Sequence, residues 1–377
     1  MNCRICKLDS SCEHLLTIEN QPPSAQGFFD NQVESYIKVD LEIYVCSQCG
    51  LVQHNSEPVS YYKDVIRAVA YSPEMKKFRL KQFKKFLNAN QLWDKNILEI
   101  GSGKGEYLDL FDEAGATKLY GLENSLRSFK ILEDKKYNSR RGFLDDKFIN
   151  TWELSFDAVV SFNFVEHWPD LRTGLKKIKN LLSDDGISLI EVPNFSHMLK
   201  NKIYTEFTVD HIYYFTEETF RNALQSVGLE IISISSVWKD YILSATVRKR
   251  QKIDIRGIIE SKKKKTFELV NFLSDYDGSV VVWGAGHQAL SILAMIRADN
   301  YVEYVVDSAP FKQGKFCPVT GLEIFSPMQL NVDCPQCVVV MGAGYSDEIV
   351  RIIQNDFGNI RDIFIVDEKG IRKANGQ

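Results

Sequence analysis

Residues 98–105 of the 377-residue chain read Leu98-Glu99-Ile100-Gly101-Ser102-Gly103-Lys104-Gly105, with three glycines at alternate positions after an apolar segment. The letters KNILEI have the pattern of a buried strand, and the following EYLDLFDEAG has that of a helix. Glycines let a ligand approach the backbone closely, and a helix N-terminus attracts an anionic group. Strand, glycine turn and helix in this order predict a nucleotide-type binding site in a parallel α/β sheet.

Two acidic residues narrow the choice of ligand at this turn. Glu99, just ahead of the first glycine, argues against a pyrophosphate, and Glu123 ends the next strand pattern about 20 residues later, where an acid can bind ribose hydroxyls. E-x-G-x-G-x-G with this second acid resembles the site of S-adenosylmethionine methyltransferases, and residues 156–163 are similar to their fourth-strand motif. The expected cofactor-binding residues are Glu99, Gly101, Gly103, Gly105, Glu123 and Asn163. S-adenosylmethionine is the favoured ligand, and NAD is its rival.

Strand and helix patterns alternate along most of the chain. KLYGLE, FDAVVSFNFV and SLIEVPN follow the first glycine turn, and a later block contains SVVVWGAG, YVEYVVDSAP, CVVVMGAGY and DIFIVDE. Such alternation predicts parallel, doubly wound sheets. A charged stretch around residues 245–265 separates the two blocks. The predicted fold class is α/β, with a small N-terminal lobe followed by two Rossmann-like domains.

A second glycine turn lies in the later block. Gly284-Ala285-Gly286-His287-Gln288-Ala289 fits G-x-G-x-x-A, and Asp307 ends the following strand pattern. This spacing is a dinucleotide fingerprint and supports NAD binding as an alternative. His287 and Gln288 argue against it, because they put large side chains where a pyrophosphate would lie. The turn is also compatible with a Rossmann-like domain that binds no dinucleotide.

Cysteines are concentrated at the N-terminus. Cys3-x-x-Cys6 and Cys46-x-x-Cys49 are two pairs at the spacing that lets two thiolates reach one ion. Two such turns close a tetrahedral Cys₄ site, so these four residues are the expected ligands of a structural zinc ion. A redox pair or chance placement is the alternative. Cys334-x-x-Cys337, near the C-terminus, precedes the apolar run CVVVM and is interpreted as a turn into a buried strand.

Two of the six histidines stand where chemistry is expected. His167 follows the third strand pattern, and ligands in open α/β sheets bind outside the carboxyl ends of the strands. His211 follows Asp210 shortly after the fourth strand pattern. An imidazole can act as a base at neutral pH, and a nearby carboxylate can orient it. Packing or helix-entry roles are the alternatives for both histidines.

Longer motifs extend over nearly the whole chain. The N-terminal lobe runs from the first cysteine pair through Asn20-Gln21-Pro22 to Cys46-x-x-Cys49-Gly50-Leu51-Val52-Gln53, and residues 307–315 fit D-x-x-P-x-K-x-G-K. Residues 323–327 and 345–349 fit the closing motifs. In this order the motifs resemble the three-domain sugar C-methyltransferases of deoxysugar biosynthesis.

The resemblance implies three domains. These are a zinc-binding lobe at 1–65, an S-adenosylmethionine-dependent methyltransferase domain at 66–248 and a Rossmann-like domain at 249–377 that contributes to nucleotide-sugar binding. The implied reaction is C-methylation of a nucleotide-linked ketodeoxysugar, in which a base removes the proton beside the ketone and the enolate carbon attacks the sulfonium methyl.

The resemblance also assigns catalytic residues. His211 matches the family's base within an E-H pair, in which Asp210 replaces the glutamate. His167 matches a histidine that contacts the sugar, and Tyr71 lies in the family's Tyr/Ser-rich stretch before the first helix of the central domain.

Two departures leave the acceptor open. The family's I-Y-x-E-H pattern reads FTVDH at residues 207–211, so Thr208 replaces a tyrosine that could polarise the ketone, and residues 65–72 keep only part of the Tyr/Ser pattern. The alternatives are an O- or N-methyltransferase of a sugar nucleotide and an NAD-linked sugar oxidoreductase that uses residues 284–289. A non-catalytic sugar-binding protein is a further alternative.

Charge and composition exclude other classes. Lysine and arginine total 46 and aspartate and glutamate total 50, a net charge of −4 that indicates neither nucleic-acid nor membrane-surface binding. No apolar run approaches the length of a bilayer span, and the start of the chain lacks a hydrophobic signal core. We therefore expect a cytoplasmic enzyme with a small-molecule nucleotide-sugar substrate. No sequence feature indicates an oligomeric state.

Overall fold

The computed structural model of the chain describes residues 2–8, 11–25, 28, 31, 37–64, 71–144, 152 and 154–374. The chain forms two compact units, residues 1–251 and 252–377, and the cysteine-rich lobe belongs to the first. The domain boundaries implied by the family resemblance, at residues 65 and 248, stay predictions. No helix among the described residues is long and apolar enough to cross a membrane.

The first unit combines two sheets with helices. Its strands are β1 (Cys12–Gln21), β2 (Val39–Cys46), β3 (Val52–His54), β4 (Asn96–Ile100), β5 (Lys118–Glu123), β6 (Asn138–Arg141), β7 (Phe156–Phe162), β8 (Leu182–Pro193), β9 (Tyr213–Tyr214), β10 (Leu229–Val237) and β11 (Ile242–Lys249). Its helices are α1 (Pro73–Asn90), α2 (Glu106–Glu113), α3 (Leu126–Glu133), α4 (Leu171–Leu181), α5 (Phe195–Asn201) and α6 (Glu217–Ser226). A 3₁₀ turn spans Val165–His167.

The larger sheet of this unit has the strand order β10-β11-β8-β7-β4-β5-β6. Neighbouring strands from β6 to β8 are parallel, whereas β11 is antiparallel to both β8 and β10. The predicted α/β class is confirmed. Because β4 lies between β5 and β7, the carboxyl ends of these three strands meet at one edge, the usual ligand position in such sheets.

Local sequence explains the central strands and the helix that precedes them. β4 and β7 are almost wholly buried, as expected of parallel strands covered by helices on both faces. α1 begins where the Ser72 side chain accepts a hydrogen bond from the Met75 amide, and Pro73 occupies its first turn. Inside the unit, the fully buried Arg79 of α1 forms an ion pair with the fully buried Glu191 of β8. This pair fixes α1 against the sheet.

The N-terminal lobe is built on a smaller antiparallel sheet of order β1-β2-β3-β9. Its last strand comes from the chain beyond β8, and Val52 pairs with Tyr214 while Gln53 pairs with Tyr213. The lobe therefore shares its sheet with the segment that carries His211.

The second unit is a second α/β layer structure. Its strands are β12 (Val280–Trp283), β13 (Val305–Val306), β14 (Lys315–Phe316), β15 (Glu323–Phe325), β16 (Cys337–Val340), β17 (Asp362–Asp367) and β18 (Gly370–Lys373). Its helices are α7 (Arg256–Asp275), α8 (His287–Ile296), α9 (Leu330–Asp333) and α10 (Ser346–Asp356). The sheet order is β14-β15-β13-β12-β16-β17-β18, and pairing is parallel except at the two edge strands. The predicted Rossmann-like character of both blocks is confirmed.

Two helical glycines give opposite predictions for the same substitution. A Cβ atom on Gly174 of α4 would lie 2.2 Å from the buried Trp168 ring, whereas one on Gly257 of α7 would meet nothing within 4 Å. We expect Gly174→Ala to lower the free energy of unfolding by about 1–3 kcal/mol through overpacking. Gly257→Ala is expected to raise it by about 0.5–1 kcal/mol, because alanine favours a helix. Calorimetric unfolding of the full chain measures both, and an equal shift in the two variants would contradict the packing argument.

Candidate active site

The first glycine turn adopts a backbone that only glycine takes easily. Gly101, Gly103 and Gly105 have φ values of 71°, 58° and 82°, all in the left-handed region. The Gly101 and Ser102 amides both donate to the Leu122 carbonyl at 2.9 and 3.1 Å. The loop is thus fixed to the end of β5 and leads into α2.

The structure places the two predicted acids, Glu123 and Glu99, differently with respect to this loop. One carboxylate oxygen of Glu123 accepts a hydrogen bond from the Gly103 amide at 2.8 Å, and the other accepts from the Ser125 amide at 2.8 Å. Glu99 is fully buried within β4. Asn163 follows β7, is exposed and has φ 46°. Its backbone N–H donates a hydrogen bond to the Glu191 carbonyl at 2.9 Å. The structure therefore brings the glycines, Glu123 and Asn163 to one edge of the sheet, where a nucleoside ligand could bind.

A cavity of about 310 Å³ opens beside Asn163. Its size suits a small ligand, and its lining includes polar groups from four segments of the first unit. These groups include Tyr61, Glu166, His167, Asp210, His211 and Tyr241. Of them, sequence reasoning selected His167, Asp210 and His211 but missed the rest.

The two histidines lie edge to face in this cavity, with ring centroids 4.9 Å apart. Nδ1 of His167 is 2.7 Å from the Asp210 carbonyl oxygen, which can only accept, so this nitrogen carries the hydrogen. Burial lowers the pKa of His167. Burial, with His167 and His54 nearby, lowers the pKa of His211 to about 3. Both rings are therefore neutral at neutral pH, the form that accepts a proton.

Asp210 is held by the N-terminal lobe. Its carboxylate accepts hydrogen bonds from the Ala25 amide at 2.8 Å and from the Tyr61 hydroxyl at 2.7 Å. Only its backbone carbonyl contacts His167. The structure thus gives the Asp210 side chain the role of joining the lobe to the histidine segment, and its predicted role in orienting His211 has no hydrogen bond in the described residues.

Glu166 is a buried acid that the sequence reasoning did not select. Its side chain is fully buried, and neither carboxylate oxygen has a hydrogen bond to another described residue. Burial raises the pKa of Glu166 to about 8. A carboxylate oxygen of Glu166 and one ring nitrogen each of His167 and His211 lie within 4.8 Å of one another. Its place beside His167 in the sequence was the available signal.

Tyr71 lies outside the cavity lining given by the described residues. Its ring stacks on Tyr107 of α2, with centroids 6.4 Å apart, and burial raises the pKa of its hydroxyl. This places Tyr71 on the glycine-turn side, and its catalytic role stays a prediction. The degraded motif at residues 65–70 lies outside the described residues.

The four predicted cysteine ligands come together. Their sulfur atoms lie within 4.8 Å of one another, and the Cys3–Cys49 and Cys6–Cys46 sulfurs are both 3.6 Å apart. A tetrahedral zinc ion with bonds of about 2.3 Å needs sulfurs about 3.8 Å apart, so the cluster fits zinc. Gly50, with φ 72°, closes the second turn through a hydrogen bond to the Cys46 carbonyl.

The second glycine turn is held by Asp307, the acid that follows β13. The Asp307 carboxylate accepts hydrogen bonds from the Ala285 and Ala309 amides and pairs with Lys312 at 2.8 Å. A Cβ on Gly284 would lie 2.6 Å from the Met341 carbonyl oxygen. Asp307 thus holds the second turn as Glu123 holds the first, and a cavity of about 500 Å³ opens beside Gly284, Gly286 and Asp307. NAD binding at this turn stays a prediction.

Two family models match the chain. One, described as a methyltransferase domain, matches residues 72–234, and one, described as a C-methyltransferase C-terminal domain, matches residues 254–366. The C-methyltransferase NovU of Streptomyces niveus is 22% identical over 285 residues, covering 67% of this chain and 68% of NovU. An uncharacterized protein of Methanocaldococcus jannaschii is 32% identical over 98 residues, covering 26% of this chain and 37% of that protein.

Similar solved structures carry methyltransferase descriptions. An S-adenosylmethionine-dependent methyltransferase of Clostridium acetobutylicum has a TM-score of 0.39 and 14% identity, covering 47% of this chain and 92% of that one. The CcbJ methyltransferase of Streptomyces caelestis has a TM-score of 0.41 and 12% identity, covering 50% of this chain and 98% of that one.

Replacing Glu123, the acid at the end of β5, tests which of the two glycine turns binds the cofactor. We expect Glu123→Ala to weaken S-adenosylmethionine binding at least about tenfold, because it removes the hydrogen bond that holds the glycine loop and the acid expected to bind ribose hydroxyls. Asp307→Ala, the equivalent change in the second unit, should leave this affinity unchanged. Isothermal calorimetry with each cofactor measures both effects. Equal loss in the two variants, or tight NAD binding by the unaltered chain, would overturn the assignment.

Proposed function

The chain belongs to the S-adenosylmethionine-dependent C-methyltransferases, and from this premise we propose that it methylates the carbon beside the ketone of a nucleotide-linked deoxysugar. The observation that carries the proposal is the pair of neutral imidazoles in a polar cavity that shares Asn163 with the cofactor edge. Hydroxyl, carboxylate and imidazole groups line this cavity, which suits a hydroxylated acceptor.

We propose His211 as the base. It accepts the proton from the acceptor carbon, and the electron pair left behind forms the enolate. His167, whose Nδ1 hydrogen is held by the Asp210 carbonyl, presents its other nitrogen for contact with the sugar. When bound, S-adenosylmethionine supplies the electrophilic methyl group. The exposed Asn163 and the loop fixed by Glu123 would hold this cofactor beside the cavity.

Zinc is proposed for the cysteine cluster. Four cysteine ligands leave no open coordination position, so the ion would be structural. The lobe has a small apolar core, and metal coordination commonly stabilises such small folds. Cysteine coordination would fix the turn at residues 3–6 against the turn at residues 46–49.

Replacing the proposed base should strongly lower turnover without unfolding the chain. We expect His211→Asn to lower kcat about 10²–10⁴-fold, the usual range for loss of a general base. His14→Asn, at an exposed position of β1, is the control and should keep full activity. The measurement uses isotopically labelled methyl cofactor and a nucleotide-linked ketosugar, with the product examined by mass spectrometry and NMR. Label on oxygen or nitrogen would exclude C-methylation, and unchanged turnover in His211→Asn would exclude this base.

Zinc binding has its own matched pair of variants. The unaltered chain should contain about one zinc ion, and Cys46→Ser should lose it and unfold at a lower temperature. Cys334→Ser removes an exposed thiol from the other CxxC sequence and should change neither property. Elemental analysis and calorimetry give the two readouts. A full zinc content in Cys46→Ser would rule out the proposed ligand set.

A further inference from the structure

The proposed base raises a problem of charge. When His211 takes a proton, a half-buried neutral ring becomes a cation, and a charge largely removed from water is costly unless an opposite charge lies near it. Burial already lowers the pKa of His211 to about 3, so the site disfavours the imidazolium. The site therefore needs an anion that can face this ring. This argument rests on the proposed function.

The Asp210 carboxylate makes no hydrogen bond to His211 among the described residues. Its two oxygens accept from the Ala25 amide and the Tyr61 hydroxyl. The Glu166 carboxylate has no hydrogen bond to another described residue, and one of its oxygens lies within 4.8 Å of ring nitrogens of both His167 and His211.

We propose that Glu166 is a positioning residue whose ionised carboxylate balances the positive charge that His211 acquires during catalysis. Glu166 lines the cavity, but its side chain and both carboxylate oxygens are buried, so the proposal has it act through His211. A buried acid with unsatisfied oxygens is costly in a folded protein, and such groups are often retained for function.

Burial is the reason that Glu166 holds a proton at rest. Among the groups that line the same cavity, the N-terminal segments contribute Tyr61, Tyr62 and Asp64. His54 lies near His211, and burial lowers the pKa of His54 to about 4. The later segments contribute Asp210 and Tyr241, whose hydroxyl donates to Glu206. Apart from the histidines, these described groups are hydroxyls and carboxyls, and none of them is a lysine or an arginine. Without a cation beside it, the Glu166 carboxyl keeps its proton up to a pKa of about 8.

The charges then balance through one cycle. Glu166 first releases its proton to solvent. The acceptor C–H bond breaks, its electron pair stays on carbon, and the proton bonds to a His211 nitrogen, which forms an imidazolium beside a carboxylate. After methyl transfer, the imidazolium passes its proton to the Glu166 carboxylate, and both groups return to neutrality. Only the ionised form of Glu166 begins the cycle, so activity should rise with pH through the pKa of Glu166.

The test compares pH profiles of kcat/KM in the unaltered enzyme and in Glu166→Gln. The substitution keeps the shape of the side chain but cannot ionise. The unaltered enzyme should gain about tenfold per pH unit between pH 6 and 8 and then level off. Glu166→Gln should lack this rise, matching the unaltered enzyme within about threefold at pH 6 but falling at least about thirtyfold below it at pH 8.5. The control, Glu206→Gln, removes another acid near the cavity and should keep the rise.

Three results would overturn the proposal. The first is an unchanged alkaline rise in Glu166→Gln, and the second is a loss by the same factor at every pH, which indicates a purely structural role. The third is stoichiometric binding of added Mn²⁺ or Zn²⁺ to the zinc-loaded protein that is lost in Glu166→Gln, because the carboxylate would then be a metal ligand.

A readout without turnover separates this proposal from the proposed function. In protein labelled with ¹³C at glutamate carboxyl groups, one resonance should titrate near pH 8 and be absent from Glu166→Gln. This titration should appear even if no ketosugar is methylated, in which case the proposed acceptor fails while the buried acid stands. Absence of any glutamate resonance that titrates above pH 7 would remove the basis for the counter-charge.

Discussion

The pairing of β3 with β9 is the constraint on which the candidate active site depends. The His54 amide donates to the Ile212 carbonyl at 3.3 Å, and the Ile212 amide donates to the Glu166 carbonyl at 2.9 Å. Three segments far apart in sequence thus form one continuous set of backbone hydrogen bonds. The N-terminal lobe is therefore part of the wall that positions the histidines. Any change that loosens the cysteine turns acts on this wall through the backbone, without altering a side chain of the cavity.

Burial has two opposite effects on the chemistry of this wall. It keeps His211 neutral, which preserves its ability to accept a proton, but it also makes the protonated ring unfavourable. A solvent-exposed histidine would hold the proton more easily but would be partly protonated before catalysis, since its pKa is about 6.5. A half-buried ring beside an ionisable acid meets both requirements, because the acid can provide charge only when charge is needed. The Asp210 carboxylate is hydrogen-bonded to Ala25 and Tyr61 instead of His211.

Sequence reasoning succeeded where a local pattern controls the structure. The CxxC turns place each pair of thiols, and the two pairs meet although Cys6 and Cys46 are 40 residues apart. Patterns failed where one long-range contact decides a side chain's role. Asp210 was assigned to its neighbour His211, yet its carboxylate binds Tyr61, 149 residues away. Glu166 has an ordinary sequence context, and only the folded arrangement shows that it is buried beside two imidazoles.

The two glycine turns share a spacing in the sequence but differ in backbone conformation. All three glycines of the first turn have positive φ, so the chain folds back over the end of β5, where Glu123 holds the Gly103 amide. In the second turn Gly286 has φ −79°, a backbone that any residue adopts. Gly284 is needed there because a side chain would strike the Met341 carbonyl. The glycines of the first turn therefore shape a loop at the predicted ligand edge. Gly284 of the second turn instead lets two strand ends of one sheet pack closely.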